Sequence, residues 1–234
     1  FENFRDSGQG SHEFDLFCIE NGSWLEGFAF FASLKEEFRD VAWSEWPREV
    51  RDREEAALAH WRLRLADRVL QEKFYQYLFF RQWFALKKYC NEKGIQIIGD
   101  MPIYTSYDSA DVWSHPDLFK LDGEKKPRFV AGVPPDYFSD TGQLWGNPVY
   151  HWDRLRETRY AWWVKRIEHN ARLFDMIRLD HFRGFVQYWE IPHGEKTAVN
   201  GEWVAVPVRG FFDTLLRRFA FLPIIAEDLG IITS

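Results

Sequence analysis

The sequence predicts an α/β chain in which short parallel strands alternate with helices, and three observations lead there. Ile95-Gln96-Ile97-Ile98-Gly99-Asp100, Met176-Ile177-Arg178-Leu179-Asp180 and Pro223-Ile224-Ile225-Ala226-Glu227-Asp228 are each an apolar run that ends in an acid. Segments with helical apolar spacing separate these runs, and a stretch from about 105 to 152 shows little periodicity. In a strand, alternate side chains share a face, so Arg178 and Asp180 point one way while Ile177 and Leu179 point the other. Parallel strands that each deliver a carboxylate at the C-terminal end, with helices between, are how a (β/α)8 barrel builds an active site. The expected fold is a partial (β/α)8 barrel with long loop insertions at its C-terminal face. One such acid alone would be read as a cap for the next helix or turn. Three of three, one of them with an arginine two residues before it, favour a shared site.

Taken in order, residues 13–39 carry apolar groups at helical spacing, and Asn21-Gly22-Ser23 predicts a break into two short helices. Trp43-Ser44-Glu45-Trp46-Pro47 reads as a turn. From Asp52 to Lys93, one apolar stripe is Leu58, Trp61, Leu65 and Val69, and another is Phe74, Tyr77, Leu78 and Phe84. Asp52 can cap the start, Gly94 stands where a C′ glycine belongs, and the pattern fits either one helix or two broken near Gln71. These aromatic stripes are read as packing. Gly94 leads into a strand over Ile95–Ile98.

The 105–150 stretch is too long for an ordinary structureless loop and too aromatic for disorder, so an ordered lid or binding loop is expected. Helical spacing returns over 153–174 and leads into the strand Met176–Asp180. Phe185–Trp189 is another loop or short strand, Glu202–Pro207 resembles a small hairpin arm, and Phe211–Phe221 is a last amphipathic helix before the strand at Ile224. No internal repeat, low-complexity tract or interdomain linker is visible.

At 234 residues and 46% apolar, the chain can bury a sizeable core. A net charge of −6 without a like-charge block gives no nucleic-acid footprint. Cys18 and Cys90 are isolated, giving no metal or disulfide signal and fitting a reducing, cytoplasmic setting. No run approaches the ~20 apolar residues of a membrane span. The chain opens on Phe1 without a methionine and stops a few residues past a strand, so it reads as an internal piece with both ends cut. A partial barrel exposes strand edges, and the piece alone is expected to aggregate or stay molten. With 12 Trp, 9 Tyr and 22 Phe, rings are plentiful enough to stack on sugars as well as fill a core. Most Phe are read as core, whereas Trp and Tyr set among Gly, Pro and Asp in loops are harder to explain that way.

Two carboxylates on neighbouring barrel strands separated by ~5–5.5 Å suit a retaining glycosidic mechanism. Asp180, beside the Arg178 cation, is kept charged and is the better nucleophile. The apolar run before Glu227 disfavours its charge, so that it can give a proton to a leaving oxygen and take one back from an acceptor. Asp136, after two prolines, is equally a natural turn residue, and the alternative for Trp145 is a core plug at the base of its loop. Arg183 is read as pairing with a nearby acid or backbone carbonyl.

The blocks IGDMPIY (98–104), AGVPPDYFSDTGQLWGNPVYHW (131–152), RLDHFRGF (178–185) and AEDLG (226–230) closely resemble the amylomaltases, the 4-α-glucanotransferases of glycoside hydrolase family 77. Arg81-Gln82-Trp83 and WLEGFA from Trp24 resemble that family too. The resemblance covers nearly the whole chain, with four blocks in order and matching gaps. It implies transfer of α-1,4-glucan segments between malto-oligosaccharides or starch- and glycogen-type glucans, through a covalent glucosyl-enzyme intermediate and with no cofactor. It further implies Asp180 as nucleophile, Glu227 as acid/base, Arg178 orienting Asp180, and His181 and Asp100 lining the donor subsite. Asp136 and Trp145 would contact sugar on the acceptor side. The family's third acid follows AEDLG in a His-Asp pair outside this chain, so the piece alone is expected to be inactive. Rival readings are an α-glucan hydrolase of the α-amylase type, a metal-dependent hydrolase on Asp100, Asp180 and His181, and an inert glucan-binding scaffold.

Overall fold

A computed structural model describes residues 1, 11–219, 221 and 223–227. The chain divides into two compact units, one comprising the chain up to Leu86 together with Asp108–Ser114, the other Lys87–Tyr107 and the chain from His115 onward. Asp228, Leu229 and Gly230 of the AEDLG block lie outside the described residues, as does Ala220 of the last expected helix.

The first unit is helical. Helix α1 (Ser11–Glu37) runs unbroken through Asn21-Gly22-Ser23, where two helices were expected. Gly22 costs ~1 kcal/mol relative to alanine inside a helix. The break is avoided because Asn21 turns its polarity inward: its Nδ2 donates to the Phe17 carbonyl at 2.8 Å, and its Oδ1 accepts from Trp24 Nε1 at 3.2 Å. Flanking Phe17 and Trp24 then pack on Phe80, at ring separations of 5.4 and 5.5 Å. A short 3-10 helix at Trp43–Glu45 precedes α2 (Arg48–Arg51), α3 (Glu55–Arg64) and α4 (Ala66–Glu92).

The break between α3 and α4 falls at Leu65, not near Gln71. Asp52 does not cap a helix start; it closes α2, where Arg51 Nε donates to it at 2.9 Å. Helix α5 (Ala110–Ser114) completes the unit: Trp113 is buried against Phe30, Phe31 and Trp46, and its Nε1 donates to the Val50 carbonyl at 3.1 Å. Trp113 is therefore core, despite its loop-like neighbours in sequence.

In the second unit, the end of α4 is closed as expected by Gly94 at φ 74°, with Gly94 N–H to Asn91 O at 2.9 Å and Ile95 N–H to Cys90 O at 2.9 Å. That cap consumes Ile95, so strand β1 is Ile98–Met101, displaced from the expected Ile95–Ile98. Helices α6 (Trp152–Glu157) and α7 (Ala161–Leu173) lead into β4 (Met176–Leu179). Helix α8 (Val208–Arg218) leads into β7 (Ile224–Ala226).

Strands β1, β4 and β7 form a parallel sheet in that order, with Asp100 beside Arg178 and Leu179 beside Ala226. Met101, Ile177 and Leu179 are buried while Arg178 is half-buried, which is the alternation read from the sequence. Gly99 is required: a Cβ there would lie 2.0 Å from the Phe174 ring.

The 105–150 stretch is ordered, and part of it is regular structure. It contributes β2 (Phe129–Val133) and β3 (Gln143–Pro148), which join β5 (Gln187–Pro192) and β6 (Glu202–Ala205) in an antiparallel sheet of order β3-β2-β5-β6. The hairpin-arm expectation for 202–207 thus becomes one strand paired with β5. Tyr150, Trp163, Phe185 and Phe211 are buried together, with Phe185 and Phe211 stacked at 5.3 Å and 5°. Much of the aromatic excess is thereby core. Among the described residues no helix is long and apolar enough to cross a membrane.

Candidate active site

Three acids meet at the C-terminal ends of the parallel strands, around one cation. Arg178 Nη1 donates to Asp100 Oδ1 at 2.6 Å and lies 3.2 Å from Asp180 Oδ1, while Nη2 donates to Glu227 Oε1. Register explains the grouping. Asp100 is directly beside Arg178 across the sheet, and Glu227 follows Ala226, the lateral neighbour of Leu179. Lateral neighbours in a sheet lie ~4.8 Å apart, closer than residues i and i+2 along one strand. Hence Arg178 makes hydrogen bonds to Asp100 and Glu227 and an ion pair with Asp180, whereas the i, i+2 spacing alone suggested Asp180 as its partner. Asp100, first among these partners, raises the Arg178 pKa further above its ordinary value.

The acids differ in surroundings. Glu227 is only 11% exposed and Asp180 41%, so a small molecule reaches Asp180 more easily. Glu227 is not enclosed by the apolar run that precedes it: Ile224 and Ile225 are half-buried and Ala226 is exposed. Polar donors face it instead, namely Arg178 and the His181 amide, which donates to Oε2 at 2.5 Å. His181 reaches that position in a left-handed conformation, φ 50° and ψ 49°. Gly184 makes the turn possible, because a Cβ there would lie 2.7 Å from Ile103 Cδ1 and 2.9 Å from His181 Cδ2. Burial lowers the His181 pKa and Arg183 adds to that, against the opposing pull of Glu227 and Asp180.

The antiparallel sheet supplies the next part. Trp145, on β3, meets the His181 ring edge-to-face at 4.9 Å and 88°. Its Nε1 donates to Gln143 Oε1 at 3.0 Å, and Tyr104 lies 6.2 Å away, stacked in turn on Tyr150. Trp145 is therefore a partly exposed wall of the site, not a buried plug. Tyr104, Gln143 and Gly184 support the site but carried no signal beyond membership of the quoted blocks.

The structure thus brings together Asp100, Arg178, Asp180, His181, Glu227 and Trp145. Asp136 stands apart: its Oδ1 accepts from the Phe138 and Ser139 amides at 2.8 and 2.9 Å, bracing its own turn. At the tip of that turn Tyr137 and Phe138 are 97% and 92% exposed and rest edge-to-face on each other. Among the described residues no group of three or more His, Cys, Asp or Glu has the arrangement of a metal site.

A family model described as 4-alpha-glucanotransferase matches residues 1–234. The 4-alpha-glucanotransferase of Aquifex aeolicus is 51% identical over 237 residues, covering 100% of this chain and 47% of the relative. That of Synechocystis sp. is 50% identical over 223 residues, covering 94% of this chain and 44% of the relative. A solved amylomaltase from Streptococcus agalactiae, in complex with acarbose, matches with a TM-score of 0.93 at 46% identity, over 99% of this chain and 47% of that one. The chain spans about half the length of the relatives it matches. Matched along its whole length, and at about half identity to curated members, the chain belongs to the 4-alpha-glucanotransferase family, glycoside hydrolase family 77.

Proposed function

We propose that the protein is a retaining 4-α-glucanotransferase that passes α-1,4-glucan segments from a donor glucan to a second glucan or glucose. The observation that carries this is the placement of Asp180 and Glu227 at the ends of adjacent parallel strands, both in contact with Arg178. In the first step an Asp180 oxygen bonds to the anomeric carbon as the glycosidic bond breaks, and the leaving oxygen takes its proton from Glu227. In the second, the acceptor hydroxyl gives its proton to Glu227, attacks the anomeric carbon and releases Asp180. Each Glu227 oxygen accepts one hydrogen bond in the structure, from Arg178 or from the His181 amide, which leaves a second lone pair on each oxygen for the proton that is passed on.

Asp100 and His181 would line the donor subsite, and Trp145 would offer its ring to the sugar on the acceptor side. Asp136 fits that side indirectly, by holding the turn that presents Tyr137 and Phe138. Those two exposed rings would favour a sugar acceptor over water at the intermediate, which separates a transferase from a hydrolase. The S. agalactiae amylomaltase is a complex with acarbose, and the same class of glucan-like ligand is proposed here.

The described strands would be the central part of a (β/α)8 catalytic barrel, with a third acid on the remainder. One face of β1 and β4 packs on α7, and the opposite face, bearing Asp100, Arg178 and an exposed Ile98, is the one a closed barrel would turn inward. A cytoplasmic setting without nucleic acid, membrane or cofactor completes the reading. Incubation of the full-length protein with maltotriose tests it. Longer oligosaccharides plus glucose are expected, and shortened products alone would mean hydrolysis.

A further inference from the structure

Arg183 has no part in the steps above, and it pairs with neither an acid nor a carbonyl among the described residues. Its guanidinium lies over the Trp203 ring, 4.1 Å from the centroid. Trp203 is on β6, directly across from Trp189 on β5, and the two rings meet at 5.4 Å and 67°. Trp189 is itself held: its Nε1 donates to the Ala198 carbonyl at 2.9 Å, and a Cβ at Gly201 would come within 2.3 Å of that nitrogen. Arg183 over Trp203, and Trp203 in T-shaped contact with Trp189, therefore make one continuous stack of contacts rooted in the antiparallel sheet.

At its other end the stack reaches the turn that follows Asp180. The Gly184 amide donates to the His181 carbonyl at 2.8 Å, the Val186 amide to the Arg183 carbonyl at 2.9 Å, and the Val206 amide to the Val186 carbonyl at 3.0 Å. Arg183 sits two residues from His181, whose own amide meets Glu227.

We propose that Arg183 and Trp203 are positioning residues for glycosyl transfer: the stack on β6 holds the turn from His181 to Phe185 so that the His181 amide and ring meet Glu227 and Trp145. This rests on the reading of Glu227 as the acid/base. A planar guanidinium over an indole is a two-dimensional constraint, which a lysine at the same place does not reproduce. The cation has a second effect on His181. The charged groups facing that imidazole are Glu227 and Asp180, which favour its protonation, and Arg183, which opposes it, with the Trp145 ring in T-shaped contact with it.

The test uses Arg183→Ala, Arg183→Lys, Trp203→Ala and Trp203→Phe in the full-length protein. Transfer from maltotriose is followed alongside thermal unfolding and an NMR titration of the His181 imidazole. In Arg183→Ala and Trp203→Ala, kcat should fall about tenfold to a hundredfold with KM within about twofold, as misplacement of a catalytic group does. Trp203→Phe should recover part of the loss. The His181 titration should move to higher pH in Arg183→Ala and stay in place in Arg183→Lys. Variants that melt lower yet keep the wild-type kcat, KM and His181 titration would overturn the proposal. A wild-type protein that does not disproportionate maltotriose would instead defeat the functional reading. Hydrogen exchange over 178–186 then decides for the clamp if it quickens in Arg183→Ala, and against it if it does not.

Discussion

The parallel sheet β1-β4-β7 and the antiparallel sheet β3-β2-β5-β6 divide the labour of the candidate site. The first places three carboxylates at strand ends on one guanidinium, so its contribution is charge at fixed positions. The second places rings: Trp145 against His181, Trp203 under Arg183, and the exposed pair Tyr137 and Phe138 on the turn between β2 and β3. Their interiors differ as well. The parallel sheet buries Met101, Ile177 and Leu179, whereas the antiparallel sheet buries a carboxylate, Glu190, whose Oε2 meets half-buried Lys120 Nζ at 2.6 Å and accepts from the Tyr188 hydroxyl at 3.0 Å. Burial first, and Glu190 next, push the Tyr188 hydroxyl up and keep it a donor. The comparison teaches that substitutions in the two sheets should fail differently, in chemistry for the first and in placement or stability for the second.

The largest effect is expected from the acids. Asp180→Asn and Glu227→Gln in the full-length protein should each lower transfer from maltotriose by at least ~10²–10⁴-fold while leaving the melting temperature near wild type. Unchanged turnover would support the inert-scaffold reading. Glu190→Ala in the antiparallel sheet should do the reverse, destabilising by ~1–3 kcal/mol in urea unfolding because the buried Tyr188 hydroxyl loses its acceptor and half-buried Lys120 its partner. A joint replacement of Lys120 and Glu190 by apolar residues should cost less than that single change. If the single and joint variants are equally stable, the pair does not anchor the sheet.

Smaller again is the effect of the loop tip. Tyr137→Ala with Phe138→Ala removes rings that bury almost nothing, so stability should stay within ~0.5 kcal/mol. Loss of ~1 kcal/mol of acceptor contact should shift product from transfer toward hydrolysis by roughly fivefold. Product ratios from maltotriose with added glucose measure it, and an unaltered ratio would remove the lid role.

The smallest effect belongs to Asp175, at the foot of the parallel sheet. Burial pushes its carboxyl up, but the Ile97 amide, the Asn91 amide group and Lys87 outweigh burial and hold it below the usual carboxylate range. A group depressed in the folded state stabilises fully above its unfolded pKa, and that contribution is lost as pH falls through the folded one. The acid limb of stability, from about pH 4 downward, should therefore be shallower in Asp175→Asn than in wild type. Parallel limbs in the two proteins would show that Asp175 is not part of it.

How far the sequence reached follows the same division. Apolar runs of period two ending in acids identify β4 and its half-buried Arg178 without reference to anything distant. The parallel pairing of such runs follows from the helices between them. Asn21-Gly22-Ser23 does not end the helix, because burial of Asn21 and Leu25 outweighs a local helix breaker. Strands β2 and β3 escaped notice because neither has a periodic pattern: Val130 and Ala131 are buried in succession, and Gln143, Leu144 and Trp145 are all exposed.

By itself the sequence determined the alternation of helices with the three parallel strands, the acids at the strand ends and the likeness to a glucanotransferase, because these depend on local pattern and on residue identity. Only the tertiary structure decided that Arg178 bonds Asp100 and Glu227, that the His181 amide meets Glu227, and that Trp145 and Trp203 reach the turn after Asp180. Lateral register in a sheet and contacts between sheets join residues tens of positions apart, and no pattern within a single stretch of chain records which of them become neighbours.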